Sequence, residues 1–363
     1  MEDNERTSLS SPGRENRESR AMVGKFDGAT LDQPKFASRR YTSPWDTWGT
    51  PGFSELVRFF WLAVTKMKRL AAVPTNLAEL ERTLPVITPD FTVRTKHGAP
   101  ESKMTWIGHA TVVVQMDGVG IICDPIFSNR CSPFDSWFGA KRFRPPPCSI
   151  DELPHIDACV ISHNHYDHLD VQSVVKLNQR FGKALRWYVP ANTGSWMRAR
   201  GCENVVEMKW WEEDKIPGTD IVVAFTPTQH WCRRGIFDTN KQLWGSWCVI
   251  GPRHRFFFPG DTGYCTAFRE IGKVYGPFDG AAIPIGAYEP RAFMKFAHVM
   301  PEESVQIHQD VRCKKSLAIH WGTFTLTSEP YLEPPIRLAQ SLKDANVRAE
   351  DFMAVRHGES LSF

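Results

Sequence analysis

The segment IDACVISHNHYDHLD, residues 156–170, ends an apolar run in His163, His165, Asp167 and His168, four ligand-type side chains within six positions. The arrangement recurs. IVVAFTPTQ leads to His230, RFFFPG to Asp261, KKSLAI to His320 and GIIC to Asp124. Short apolar runs of this kind read as buried strands, so the recurrence gathers these side chains at one edge of a sheet, where loops converge. In extended chain, residues two apart point to the same side, so His163 and His165 can offer imidazoles to one cation. A chain that turns into a helix at Leu169 then directs Asp167 and His168 elsewhere, which favours two adjacent metals over one. Two plainer readings compete: a solvated loop rich in histidine by chance, and a structural zinc site. The second is usually closed by four ligands, often thiolates, and none is used here.

Two cations about 3.5–4 Å apart lower the pKa of a shared water and clamp a phosphoryl or carbonyl oxygen. The expected nucleophile is therefore a bridging hydroxide. Ligation dominated by imidazole favours zinc, with iron and manganese as alternatives.

The rest of the chain frames this centre. The 363 residues are 42% hydrophobic and 23% charged, an ordinary globular balance that supplies a sizeable core. A net charge of +3 without a clustered basic stripe argues against a nucleic-acid partner. The start, MEDNERTSLS, lacks a basic segment followed by an apolar one, so a secretory signal is not expected and the default location is intracellular. Nine cysteines without a CxxC pair fit reduced thiols, Cys232 beside His230 included.

Residues 1–40 mix Ser, Arg, Asn and Glu with few apolar positions and are expected to form a disordered tail. Residues 41–100 read as an extension carrying an amphipathic helix within FSELVRFFWLAVTKMKRLAAV, 53–73. That stretch is too charged to span a bilayer, which needs about 20 apolar residues. Either it lies in a membrane interface, with Phe59, Phe60 and Leu62 in the acyl boundary, or it packs on the remainder, since an apolar stripe also describes a buried face.

Residues 101–363 read as the catalytic domain. TWIGHATVVVQM and VGIICDP form a hairpin about Asp117-Gly118, a favoured two-residue turn. Further strands are expected at 156–162, 186–190, 221–226, 246–250, 254–259, 280–285, 316–320 and 352–356, and helices at 169–181, 301–314 and 334–345. Strands with helices interspersed but no regular βα repeat argue for an α/β fold of two sheets covered by helices. His109, His298 and His308 are each either site-edge groups or packing histidines. Arg233 and Arg234 either attract a phosphate or belong to a solvated loop.

HNHYDH, FTPTQHWC, FPGDTGYC and AIHWGTF together resemble the metallo-β-lactamase superfamily. The flanking words WIGHATVVV, DPIFSNR, WWEE, LWGSW, AAIPIGAYEPR and YLEPP look like the N-acylphosphatidylethanolamine-hydrolysing phospholipase D family, over Thr105 to Glu359. The resemblance implies an αββα sandwich with a binuclear metal site at one sheet edge. It implies that His163, His165 and His230 hold one zinc, that Asp167, His168 and His320 hold the other, and that Asp261 bridges the two Zn2+. Asp124 matches a family aspartate that orients ligands, making it a catalytic candidate beside Asp167 and Asp261. Tyr166, Arg234, His298 and His308 match positions that line the family's substrate cavity.

The activity implied is hydrolysis of N-acylphosphatidylethanolamine to an N-acylethanolamine and phosphatidic acid by a peripheral, membrane-associated homodimer on the cytosolic face of endomembranes. The chain departs from the family at Ala297, where a polar side chain is expected, and at Met300, where Asp is expected and the N-cap is poor, although Pro301, Glu302 and Glu303 suit a helix start. The rival readings are another hydrolase on this fold, acting on a phosphodiester or lactone, and a membrane-bound zinc scaffold without turnover.

Overall fold

In the computed structural model, residues 31–96, 99–132 and 139–363 are described. Chain order begins with a hairpin pairing Lys35–Ala37 with Arg40–Thr42, then the helices Phe53–Thr65 (α1), Met67–Ala71 (α2) and Leu77–Thr83 (α3). Residues 1–30 of the expected tail lie outside the described residues. Residues 31–40 correct that expectation: besides the hairpin, Asp32 accepts from Trp45 Nε1 at 2.6 Å, and its carbonyl accepts from Trp211 Nε1 at 2.7 Å. Two indole N–H groups, one from a buried and one from a partly buried tryptophan, hold this polar stretch in place.

Lys103–Gly108 (β1), Thr111–Met116 (β2), Val119–Cys123 (β3), Ala158–Val160 (β4), Arg186–Pro190 (β5) and Val205–Met208 (β6) lie side by side in one sheet. The first three are antiparallel and β3 to β6 are parallel. Glu213–Lys215 (β7), Val222–Thr226 (β8), Ser246–Ile250 (β9), Arg255–Phe258 (β10), Phe278–Pro284 (β11), Cys313–Ile319 (β12) and Phe352–Met353 (β13) make a second, antiparallel as far as β10 and parallel beyond. Ser360–Ser362 (β14) returns to close the first sheet against β1.

Side chains alternate by face. Trp106, Val112, Val114, Ile121, Cys123 and Val160 point into the core shared with the second sheet. Ile107, Val113, Ile122, Cys159 and Ile161 point to the outer face, under the helix Val171–Phe181 (α4). Both faces being covered explains why the strands read as continuous apolar runs. Helices Gly194–Arg198 (α5), Ala267–Val274 (α6), Arg291–Met294 (α7), Pro301–Asp310 (α8) and Glu333–Asp344 (α9) follow. With α6 and α8 against the second sheet, the layers are α, β, β and α.

The first hairpin is in fact a three-stranded meander. The Asp117-Gly118 turn stands, but TWIGHATVVVQM breaks at Gly108 and His109, whose φ values of +118° and +52° reverse the chain. The helix expected over 301–314 stops at Asp310, because Arg312 takes φ +56° and donates through Nη2 to the Gly272 carbonyl at 2.6 Å. At its start the Glu303 carboxylate accepts from Met300 N at 3.0 Å, so the first turn is capped despite the methionine.

Candidate metal centre

Every strand-end residue singled out in the sequence arrives at one edge of the sandwich. From the first sheet come His109 after β1, Asp124 after β3, and residues 163–168 after β4; from the second come His230 after β8, Asp261 after β10 and His320 after β12. His109, Asp124 and His320 have φ of +52°, +38° and +62°, a left-handed backbone that non-glycine residues rarely adopt. Three such residues at one site point to a function that the fold sustains against local cost. Gly260 allows the close approach that seats Asp261: a Cβ there would lie 2.3 Å from Ser162 Cβ.

The side chains form two groups. His163 Nε2 lies 2.8 Å and His230 Nε2 3.2 Å from His165 Nδ1. His168 Nε2 lies 3.3 Å from His320 Nε2, with Asp167 Oδ2 at 3.4 Å from His168 and 3.6 Å from His320. Asp261 stands between the groups. Its Oδ1 is 3.0 Å from His320 Nε2, and its Oδ2 is 3.1 Å from His168 Nε2 and 3.9 Å from both His163 Nε2 and His230 Nε2.

The outward nitrogens decide what the inward ones carry. His168 Nδ1 donates to Asp124 Oδ2 at 2.7 Å and His230 Nδ1 to the Ala297 carbonyl at 2.9 Å. Ser162 Oγ gives its proton to Asp124 at 2.5 Å and therefore accepts from His163 Nδ1 at 2.8 Å. The Nε2 atoms of His163 and His230 thus present lone pairs inward, and that of His168 does so once its second proton is displaced. The lone pairs of His163 and His230 converge on His165 Nδ1 with the Asp261 carboxylate beside them, and lone pairs and carboxylate oxygens cannot satisfy one another. A cation resolves that conflict, so the donor set fits metal ions.

Electrostatics agree. Burial drives the His163 and His230 imidazoles well below their ordinary pKa and His165 to about 4, leaving them neutral, as metal ligands must be. Burial also opposes charge on His168 and His320, but the Asp261 and Asp167 carboxylates outweigh it, lifting His168 well above the ordinary value and His320 to about 9. Those two protons stand where a cation's charge would otherwise be needed.

Several expectations resolve here. His109 is a site group: its Nε2 donates to Asp167 Oδ2 at 2.9 Å and its ring lies 4.1 Å from that of His320. His298 is at the centre too, half-buried, with Nδ1 3.9 Å from Asp261 Oδ2. His308 is not: it bonds Ser316 Oγ at 2.8 Å and stacks on Phe352, a satisfied packing histidine between α8 and its neighbouring strands. Arg234 braces the histidine loop, its Nη1 donating to the carbonyls of Asn164 and Leu169 at 2.9 and 2.7 Å. Its guanidinium lies 4.0 Å from the Tyr166 ring, whose hydroxyl donates to the Arg234 carbonyl.

Sequence reasoning missed Ser162, the relay between Asp124 and His163, though it abuts the motif. It also missed Thr47, Trp48 and Gln229. Thr47 Oγ1 donates to Gln229 Oε1 at 2.5 Å and Trp48 Nε1 to the His230 carbonyl at 3.0 Å, so the N-terminal extension grips the His230 loop. No sequence pattern marked that contact. At Ala297, where a polar side chain was expected, the backbone carbonyl accepts from His230 Nδ1.

The model for the Beta-lactamase superfamily domain matches residues 120–321, which takes in Asp124, the histidine motif, His230, Asp261 and His320. The chain is 42% identical over 322 residues to N-acyl-phosphatidylethanolamine-hydrolyzing phospholipase D 1 of Caenorhabditis elegans, covering 86% of this chain and 88% of that one. It is 36% identical over 240 residues to the mitochondrial N-acyl-phosphatidylethanolamine-hydrolyzing phospholipase D of Saccharomyces cerevisiae, covering 64% of this chain and 50% of that one. A solved structure of a possible metal-dependent hydrolase from Veillonella parvula superposes with a TM-score of 0.58 over 72% of this chain and all of the other, at 15% identity, a likeness of fold alone. Since the matched regions carry the metal centre itself, the chain belongs to the N-acylphosphatidylethanolamine-hydrolysing phospholipase D family of the metallo-β-lactamase superfamily, and is a metal-dependent phosphodiester hydrolase.

Proposed function

We propose that the protein hydrolyses N-acylphosphatidylethanolamine to an N-acylethanolamine and phosphatidic acid. Water oxygen bonds to phosphorus, the bond from phosphorus to the ethanolamine oxygen breaks, and the proton released by water ends on that oxygen. The observation that carries this reading is the position of Asp261, whose two oxygens face both histidine groups. One carboxylate between two three-residue groups supports two ions: His163, His165 and His230 for the first, Asp167, His168 and His320 for the second. Zinc suits so imidazole-rich a set, and when bound would supply Lewis acidity toward the phosphoryl oxygens and an acidified water.

The chain's own groups do the rest. Asp124 holds His168 directly and His163 through Ser162, while His109 steadies Asp167. His298, beside Asp261 and half-buried, borders the space where the phosphodiester would sit. Tyr166, held against Arg234 on the histidine loop, is proposed to line it from family likeness.

The substrate class rests on the two phospholipase D relatives, and a lipid substrate calls for a membrane surface. Among the described residues, no helix is long and apolar enough to cross a membrane, so the proposed association is peripheral, through α1, at the cytosolic face of endomembranes. A homodimer follows from the family likeness, and light scattering of the purified protein tests it.

The decisive experiment is incubation with N-acylphosphatidylethanolamine vesicles in ¹⁸O-water, with products identified by mass spectrometry. Labelled phosphatidic acid with unlabelled N-acylethanolamine is expected. Label in the N-acylethanolamine would move the attack to carbon. No products from protein carrying two metals would overturn the substrate assignment and turn attention to other phosphodiesters and lactones.

A further inference from the structure

Outside the metal centre, Ile236 and Phe237 are 75% and 78% exposed, side by side at the tip of the loop that leaves His230. The loop is held firmly. The Asp238 carboxylate accepts from the backbone N–H groups of Arg234 and Gly235 at 3.1 and 2.8 Å. Arg40 of the N-terminal hairpin donates to the carbonyls of Thr239 and Phe237, and Tyr41 N donates to the Asn240 carbonyl at 2.7 Å. Hairpin and loop are therefore one unit, and the hairpin adds an exposed Phe36.

Charge on this unit has one sign. Residues 35–41 and 231–241 hold Lys35, Arg39, Arg40, Arg233 and Lys241, with Arg234 turned inward onto the histidine loop, against a single acid, Asp238, whose oxygens are occupied by amides. Exposed apolar tips ringed by cations are the composition of a surface that enters an anionic lipid interface, where apolar groups reach the acyl boundary and basic ones meet phosphates. A second copy of the chain is the poorer partner, because a two-fold contact would set this cationic patch against itself.

We propose that the 35–42 hairpin and the 231–241 loop form a docking surface for an anionic bilayer, with Ile236 and Phe237 as the inserting side chains. The inference deepens the reading of a membrane-lipid substrate and rests on it. The loop begins at His230, and Trp231 lies 4.6 Å from the His165 ring. Docking here would bring the metal centre's mouth to the lipid surface.

The test uses the full-length, metal-loaded protein and vesicles of phosphatidylcholine alone or with phosphatidylglycerol, neither containing N-acylated lipid. In co-sedimentation, Ile236→Ser with Phe237→Ser should weaken binding to the anionic vesicles at least about ten-fold, given the apolar burial each side chain loses. Arg39→Gln with Arg233→Gln should remove most of the preference for anionic vesicles, and Ile236→Leu with Phe237→Leu should bind as wild type. The serine pair is also made in a chain whose α1 face is already polar, so that helix cannot mask the loop. Unchanged partitioning of the serine pair in both backgrounds overturns the proposal. So does a fall in oligomeric mass by light scattering with partitioning unchanged, which would make the patch an interface between copies. Because the vesicles contain no substrate, docking without hydrolysis would defeat the substrate assignment alone, and hydrolysis of micellar lipid without docking would defeat this inference alone.

Discussion

Asp124 shows how a residue outside the two groups of candidate ligands can orient members of both. Fully buried, it accepts from His168 Nδ1, Ser162 Oγ and Ser162 N at once. Asp124→Asn places an amide where an acceptor is required, freeing His168 to carry its proton on Nε2, toward the ions. Metal affinity should fall about 10- to 100-fold with the fold intact, measured by metal titration alongside circular dichroism. Asp261→Asn removes the charge shared by both groups and should cost most of the bound metal and most of the turnover. Wild-type metal content and activity in that variant would sink the binuclear assignment. A third prediction concerns protons. Without metal, the raised pKa values of His168 and His320 mean that both are protonated at neutral pH, so uptake must displace them. Affinity should therefore rise with pH through the His320 value of about 9. The same shift has a stability sign: a folded pKa raised above 6.5 stabilises the metal-free protein below that pH, and the gain is lost as pH climbs through about 9. Melting of chelated protein should therefore weaken across that window, and metal-loaded protein should not share the loss.

Helix α1 shows why an amphipathic stretch is ambiguous until its neighbours are known. Phe53, Leu56, Val57, Phe60, Trp61 and Val64, spaced by three and four, are all exposed, while Lys66 reaches back over the Trp61 ring at 4.6 Å. Phe59, expected to touch lipid, instead stacks on Phe293 of α7 with ring centroids 4.2 Å apart, and Leu62 is half-buried with it. Of the three expected contacts, only Phe60 points outward. The packing reading describes Phe59 and Leu62, and the exposed stripe is what the proposed membrane contact rests on, because the helix carries an apolar stripe on each side. Val57→Ser with Phe60→Ser and Trp61→Ser should reduce vesicle co-sedimentation with little change in melting temperature. Phe59→Ala should cost about 1 kcal/mol of stability through the lost stack, and equal effects of both changes on vesicle binding would argue against the two-sided helix.

At the scale of the whole molecule, the metal centre joins the two sheets. His163, His165, Asp167 and His168 follow a strand of the first, whereas His230, Asp261 and His320 follow strands of the second, so any bound ion clamps the open edge of the sandwich. Adding zinc to chelated protein should raise the melting temperature with metal concentration, by about 2.7 kcal/mol of stability at a hundred-fold excess over Kd. His230→Ala, which removes a second-sheet ligand, should flatten that dependence. A melting curve indifferent to metal would show that the site forms without bridging the sheets.

The sequence by itself determined the strands and the positions where ligands follow them. A buried strand needs consecutive apolar residues, and a metal needs histidine and carboxylate, so both are written in residue type and spacing. The pairing of His163 with His165 and the Asp117-Gly118 turn were legible for the same reason. The short strands at 205–208, 213–215 and 360–362 were not, since their pairing depends on neighbours distant in the chain. Tertiary structure alone decided that His109 meets Asp167 while His308 meets Ser316, that Arg234 bonds backbone carbonyls, and that the Ala297 carbonyl orients His230. Each of those is a choice of hydrogen-bond partner, and a partner is supplied by whatever the fold brings within about 3 Å, which no local pattern encodes.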